Sequence, residues 1–279
     1  MKTVKSMNKI SVYGGTGFIG GTFCNLFPDK VIKVPREERT PFSKNILYFI
    51  STTTNYNVFD SLTLDINTNL NILMEVLTHC KNNDITFNYV SSGFVYGNDI
   101  IDAKETDTPD PRGFYSITKR TAEQLIISFC ETFECKYRIF RLANVYGTDK
   151  TISPKKNALG FLINKLKNNE NIQMYDGGKV LRDYMHVDDY CLAMMHLIEN
   201  SKTNEIYNIA SGQSRMFCDI IDIAKEFLTS KSSILSIDPP EFYSKVQAKN
   251  FTLSIDKLKD TQFISNKSLV MGIYKMCKN

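Results

Sequence analysis

The segment Gly14-Gly15-Thr16-Gly17-Phe18-Ile19-Gly20 limits the fold more than any other. It sits between an apolar run, Ile10–Tyr13, and a stretch with helical apolar spacing through Phe18, Phe23, Leu26 and Phe27. In the pattern formed by Gly14, Gly17 and Gly20, the first glycine permits a tight turn and the second lets backbone approach a pyrophosphate. The third lets the helix pack on the strand. Free amides at the helix start, at Phe18, Ile19 and Gly20, are then donors for phosphate. A glycine-rich turn without a ligand is the alternative; the strand–loop–helix setting favours a dinucleotide.

Val31–Val34, Ile46–Ile50, Thr86–Val90, Lys136–Arg141 and Glu205–Ile209 read as strands, and Leu62–Asn82, Tyr115–Phe133 and Asp188–Glu199 as helices. Such alternation predicts right-handed crossovers and an α/β fold on a parallel sheet. Thr148–Val180 and the residues after Gly212 break the alternation and read as a smaller lobe. The division expected is 1–147, with 181–212 returning to it, against 148–180 and 213–279. The final residues, rich in Lys and Asn, read as a frayed end.

With 42% apolar residues the chain can bury a substantial core. The net charge of +4 is spread without a dense basic run, which argues against nucleic acid and a polybasic membrane anchor. No apolar run approaches the roughly 18 residues that span a bilayer. The first apolar stretch is broken by Gly14, Gly15, Gly17, Gly20 and Gly21, so no signal sequence is expected. The seven cysteines form no C-x-x-C pair, no metal site is expected, and a reducing cytoplasm is the expected setting.

Tyr115 and Lys119 are four apart at the start of a helical pattern, hence on one face, and follow Ser91 and Ser92 at the end of a strand. Tyr146, Tyr175 and Tyr274 share the lysine spacing but lack the serines. A phenol with a pKa of about 10 is a poor base at neutral pH. A nearby ammonium and an oxidised nicotinamide ring favour the phenolate, so Tyr115 can take a hydroxyl proton as hydride leaves, or return it to an alkoxide. Ser92 would hydrogen-bond the reacting oxygen and Ser91, beside the cofactor, would support the loop; strand-end capping is their other reading. After the second strand, Arg36 points to the 2′-phosphate of NADP, while Glu37 and Glu38 keep NAD open, and Arg36 also reads as a solvated loop charge.

GGTGFIG, VSSGFVYG, YSITK, RLANVYG, RDYMHVDD and YNIASG occur in the order seen in extended short-chain dehydrogenases/reductases of the NAD-dependent epimerase/dehydratase group, which the chain resembles from Ile10 to Gly212. The resemblance implies a Rossmann-type doubly wound sheet binding NAD or NADP, and a C-terminal lobe binding a nucleotide-diphosphate sugar. It also implies hydride transfer at carbon 4 and a homodimer formed through the helices Leu62–Asn82 and Tyr115–Phe133. By position Ser92, Tyr115 and Lys119 match the catalytic triad, with Lys119 also on the nicotinamide ribose. Asn67 matches an Asn that orders the sheet and site. Asn144 and Arg182 match diphosphate contacts, a role that suits a guanidinium; a domain-interface salt bridge is the other reading of Arg182. His186 reads as a contact at a helix start. Ser51 begins a Ser-Thr-Thr-Thr loop where small alanines are expected beside the cofactor.

The departures narrow the chemistry. Dehydrating members of the resembled group carry Asp-Glu after the triad Ser/Thr, where this chain has Gly93 and Phe94. Members that reduce and also epimerise carbons 3 and 5 use a Cys and a His where this chain has Gly93 and Asp149. What remains is reduction of a 4-ketone, oxidation of a 4-hydroxyl, or 4-epimerisation. The short length is closer to CDP-abequose synthase-like 4-keto reductases than to 4-epimerases, and a non-catalytic dinucleotide sensor is a minor alternative. Between Val34 and Ile46 the group's usual helix and further strand are missing, so the adenine side must be absent or rebuilt.

Overall fold

Strands rich in β-branched and aromatic residues, buried on both faces, build the centre of the molecule. The computed structural model describes residues 9–81, 83–147 and 157–278. In chain order the strands are β1 Ile10–Tyr13, β2 Val31–Lys33, β3 Asn45–Tyr48, β4 Thr86–Ser92, β5 Ile100–Ala103, β6 Lys136–Leu142 and β7 Asn144–Tyr146. They continue with β8 Ile172–Tyr175, β9 Leu181–His186, β10 Glu205–Ile209, β11 Ser214–Met216, β12 Ile234–Ile237 and β13 Phe251–Leu253. The helices are α1 Phe18–Leu26, α2 Leu64–Ile66, α3 Ile72–Cys80, α4 Phe114–Thr132, α5 Ala158–Lys167, α6 Val187–Asn200, α7 Phe217–Leu228, α8 Glu241–Val246, α9 Asp256–Asp260 and α10 Leu269–Lys278.

The main sheet has the order β10-β6-β4-β3-β1-β2, every pair parallel. Alternate residues serve opposite faces. Ile10, Val12, Leu47 and Val90 pack with α1 and α6, whereas Tyr13, Ile46, Tyr48, Phe87 and Tyr89 pack with α3 and α4. The chain leaves β1 for the edge strand β2 and returns to β3 on the other side of β1. That reversal opens a crevice beyond the strand ends, the place where such sheets hold ligands. The glycine loop lies in it, since a Cβ on Gly14 would stand 3.1 Å from Phe49 Cβ and from the Ile50 amide.

No helix joins β2 to β3. The connecting residues 34–44 run back over β1 as an irregular crossover of turns and bends, held by two side chains from one face of that strand. Tyr13 donates its hydroxyl to the Arg39 carbonyl at 2.7 Å, and Ser11 Oγ accepts from Phe42 N at 2.9 Å and meets Ser43 Oγ at 2.8 Å. Arg39 reaches on to Glu75 of α3 at 2.6 Å. The helix and strand missing from the sequence are thus replaced by hydrogen-bonded backbone.

A second sheet, ordered β11-β9-β13-β5 with β7 on β9, interleaves the two parts of the chain. It takes β5 from within 1–147 and β9 from within 181–212, while α6 and β10 of that last segment rejoin the main sheet. The stretches read as irregular hold regular elements: α5, α7 and α10 share a core with β8, including Leu162, Ile172, Ile221 and Ile273. The expectation of a frayed end is corrected. Residues 269–278 form α10, with Leu269, Ile273 and Cys277 buried, because apolar residues at helical spacing outweigh the lysines between them. Gly272 lets this helix sit directly on Tyr146, whose hydroxyl would be 2.1 Å from an added Cβ. The predicted helix 62–82 spans 64–80 with a π turn at Asn67–Asn71; its last expected residue, Asn82, lies outside the described residues, as do Thr148 and Asp149.

Candidate active site

Helix α4 starts beneath the crevice at Gly113, where a Cβ would fall 2.2 Å from Asn55 Oδ1. Ser116 Oγ accepts from Gly113 N at 3.0 Å and closes the first turn. From there Tyr115, Lys119 and Glu123 line one face toward the sheet. Lys119 is 3% exposed; its ammonium donates to the Val90 carbonyl at 2.7 Å and stands 4.8 Å from the centre of the Tyr89 ring. Tyr115 is hydrogen-bonded to the Ser92 side chain, and Ser92 Oγ accepts from Phe94 N at 3.2 Å. The structure therefore brings Ser92, Tyr115 and Lys119 together at the end of β4.

Their environments push them in opposite directions. Burial drives the Tyr115 phenol up to about 12, partly offset by the Ser92 hydrogen bond and reinforced by Asp65. Burial also drives the Lys119 ammonium down to about 7, opposed by the Glu123 carboxylate. In the protein alone Tyr115 is a protonated acid, and Lys119 titrates near neutrality.

The glycine loop fits a dinucleotide diphosphate. Gly14 has φ of 77°, Gly17 N donates to Gly14 O at 3.1 Å, and α1 begins at Phe18 with no side chain capping it. The amides of Phe18 and Ile19 thus open the helix toward the crevice, as phosphate binding requires. Gly20 is the tightest position: an added Cβ would be 2.4 Å from the Gly14 carbonyl oxygen. Gly20→Ala must displace the loop, so we expect cofactor affinity to fall at least about tenfold, by roughly 1.4 kcal/mol or more. Titration of nicotinamide fluorescence checks this, and unchanged affinity would contradict it.

Two of the expected side chains stand elsewhere. Ser91 was expected at the cofactor, but its hydroxyl donates to Glu123 at 2.6 Å inside the core. Its place one residue before Ser92 on a pleated strand turns it to the opposite face. Asn67 is exposed and accepts from Asn71 Nδ2 at 3.0 Å, because it lies off the face carrying Leu73 and Val76. The ordering role falls to Asn69, which is fully buried. Asn69 Oδ1 accepts from Thr52 N at 2.8 Å and Ser51 Oγ at 3.1 Å, and its amide donates to Thr118 Oγ1 at 2.8 Å. Thr52 also donates to Asp65, which accepts from Asn57 at 3.0 Å. These bonds explain the hydroxyls that replace alanines at Ser51 and Thr52: they join the loop after β3 to α2, to the π turn and, through Asn69, to α4. Spacing marks Asn69, which stands four before Leu73 and seven before Val76.

On the other wall, Asn144 Nδ2 donates to the Asp183 carbonyl at 3.0 Å. Arg182 is held by carbonyls, those of Leu181 and Ala248 at 2.9 Å each and that of Lys249, with no carboxylate among them. Its charge is oriented yet uncompensated by these partners, which suits an anion. His186 caps α6, its Nδ1 accepting from Asp188 N at 3.1 Å. Near β2, Arg36 is exposed, while Glu38 accepts from the amides of Arg39 and Thr40 at 2.8 and 2.6 Å and is held below the usual carboxylate range by them.

Gly93 and Phe94 owe their identity to β13. A Cβ on Gly93 would be 2.7 Å from the Phe251 ring, and Phe94 stacks on Phe251 with centroids 4.5 Å apart. Among the described residues no group of His, Cys, Asp or Glu is arranged to hold a metal ion, and no helix is long and apolar enough to cross a membrane.

The chain is 34% identical over 128 residues to the low-salt glycan biosynthesis protein Agl12 of Haloferax volcanii, covering 45% of this chain and 40% of that one. It is 27% identical over 150 residues to the dTDP-4-dehydro-6-deoxyglucose reductase of Escherichia coli, covering 54% and 47%. Each alignment spans less than half of the relative's own length. The fold matches a UDP-glucose 4-epimerase of Thermotoga maritima with a TM-score of 0.85 at 21% identity, over 97% of both chains. Residues 48–210, from β3 through the end of the main sheet, match the NAD dependent epimerase/dehydratase family. With the glycine loop at the switch point and the Ser92, Tyr115 and Lys119 cluster, that match identifies the chain as a member of this family.

Proposed function

We propose that the chain is an NAD(P)-dependent oxidoreductase acting at carbon 4 of a nucleotide-activated sugar, with reduction of a 4-ketone as its direction. The observation that carries this reading is the Phe94–Phe251 stack beside Ser92. It leaves the two positions after Ser92 without a group that can move a proton, so elimination of water has no acid or base there. Ser92 holds the carbonyl oxygen, and Tyr115, kept protonated by its surroundings, donates to that oxygen as the alkoxide forms. Lys119 lies behind the phenol, where its charge favours proton release and can meet the nicotinamide ribose. The bound dinucleotide supplies the hydride. Asn144 and Arg182 hold the sugar diphosphate, and Arg36 at the open end of β2 favours a 2′-phosphate, hence NADP.

A 4-epimerase is the second reading, favoured by the likeness in fold to a UDP-glucose 4-epimerase. Mixing the protein with NADPH or NADH and nucleotide-linked 4-keto sugars, while following the reduced nicotinamide absorbance, separates the two. Net cofactor consumption is expected. Isomerised sugar without net consumption would mean an epimerase; tight cofactor binding with neither would mean a sensor. A homodimer is part of the proposal. Leu64, Ile66 and Met74, with Phe114 and Ile117, leave apolar area exposed on the two helices expected to pair. Light scattering should return twice the chain mass.

A further inference from the structure

Glu123 lies one turn beyond Lys119 and two beyond Tyr115 on the same face of α4. Its side chain is fully buried and accepts four hydrogen bonds from three elements. One oxygen takes Ser91 Oγ at 2.6 Å and Arg141 Nε at 3.0 Å. The other takes Arg141 Nη2 at 2.8 Å and Arg120 Nη1 at 2.9 Å. Ser91 and Arg141 are direct cross-strand neighbours on β4 and β6. One carboxylate therefore fastens two strand ends to the helix that carries Tyr115. Since Ser92 follows Ser91, the same fastening sets the distance between the hydroxyl and the phenol that share the substrate oxygen.

The charges around Lys119 point the same way. From its own helix Glu123 acts on it, and Arg120 is ion-paired to that carboxylate. From β4 Lys119 faces the Tyr89 ring and the Val90 carbonyl, and Arg141 comes from β6. Asp65 acts on Tyr115 from α2. Among these groups on α4, β4 and β6, Glu123 is the single anion, set against Arg120 and Arg141. Desolvation lowers the proton affinity of a buried ammonium, and an anion within a few ångströms restores it.

We infer that Glu123 is a positioning residue for the reaction: it holds the Ser92 strand against the Tyr115 helix and sets an anion one helical turn from the buried Lys119. The inference rests on the oxidoreductase reading for its place in catalysis, but its electrostatic part is testable without a sugar. The charged form of Lys119 is lost as pH rises through its pKa, close to 7. The attraction it gives an anionic dinucleotide is lost with it, so affinity for NADPH should step down across that range. Removing the Glu123 charge makes Lys119 release its proton at lower pH.

The experiment is the pH dependence of NADPH affinity, read from nicotinamide fluorescence. It is paired with the pH dependence of kcat on a 4-keto sugar nucleotide. In Glu123→Gln both steps should move to lower pH by about one unit, with kcat lowered more than KM is raised. Arg120→Gln removes a cation from the partly exposed rim of the cluster and should move both steps to higher pH. A wild type with no step near neutrality would overturn the inference, as would a folded Glu123→Gln that weakens binding equally at every pH. If Glu123→Gln does not fold, Arg120→Gln decides alone, and an unmoved step overturns the inference. Wild-type protein that binds NADPH but consumes none with any 4-keto sugar would sink the oxidoreductase reading while the binding step still judges Glu123.

Discussion

Tyr115→Phe is expected to lower turnover by about 10²- to 10⁴-fold, the range lost when a positioned proton donor is removed. The ring remains, so its packing against the end of β4 is kept, while Ser92 loses its phenolic partner. Cofactor affinity should stay within about twofold, because the glycine loop and the Lys119 bond to the Val90 carbonyl do not involve the phenol. Steady-state turnover and fluorescence titration together check this. Near-normal turnover in the variant would remove Tyr115 as the proton donor and with it the proposed mechanism.

Arg141→Met is expected to be the most destabilising single change at the site. Arg141 is 1% exposed and gives Glu123 two of its four hydrogen bonds, and a methionine fills the volume of the stem but not the charge. Stranding one member of a buried ion pair costs about 3–5 kcal/mol. In a chain of this size that corresponds to a fall in Tm of about 5–9 °C. Arg120 and Ser91 remain on the carboxylate, which places the expectation toward the lower end. Adding Glu123→Leu to Arg141→Met should recover much of the loss, because apolar replacement of both partners removes the uncompensated charge. Thermal unfolding by circular dichroism reads both variants. A single variant within about 1 kcal/mol of the parent would show that the pair is not a stability determinant.

The main sheet was legible because parallel strands covered on both faces are nearly continuous apolar runs, such as Ile46–Tyr48 and Phe87–Val90. The glycine loop was legible because its spacing follows from steric needs visible without coordinates. Asn67 and Asn69 show where local reading fails. In Asp-Ile-Asn-Thr-Asn-Leu-Asn, three asparagines compete for one role, and only the helical phase relative to Leu73 and Val76 tells which is buried. The second sheet was not legible, because β5, β11 and β13 are only three or four residues long and its strands find their partners across long stretches of chain. The reason for Gly93 was hidden for the same cause, since the ring that forbids a side chain there, Phe251, lies far along the sequence. Glu123 carried a usable signal, its spacing of four and eight from Lys119 and Tyr115, but its meaning depended on Arg141 arriving from another strand.

The pairing of β5 with β13 also bears on the order in which the protein can be made. Ile100 and Phe251 are register partners, so the strand at Ile100–Ala103 waits for its neighbour while the intervening chain is synthesised. At about 5–20 residues per second the wait is roughly 8–30 s. During it the glycine loop and β1 to β4 can already be in place, whereas the Phe94 ring has no Phe251 to stack on. The wall beside Ser92 is therefore the part of the site that synthesis completes last.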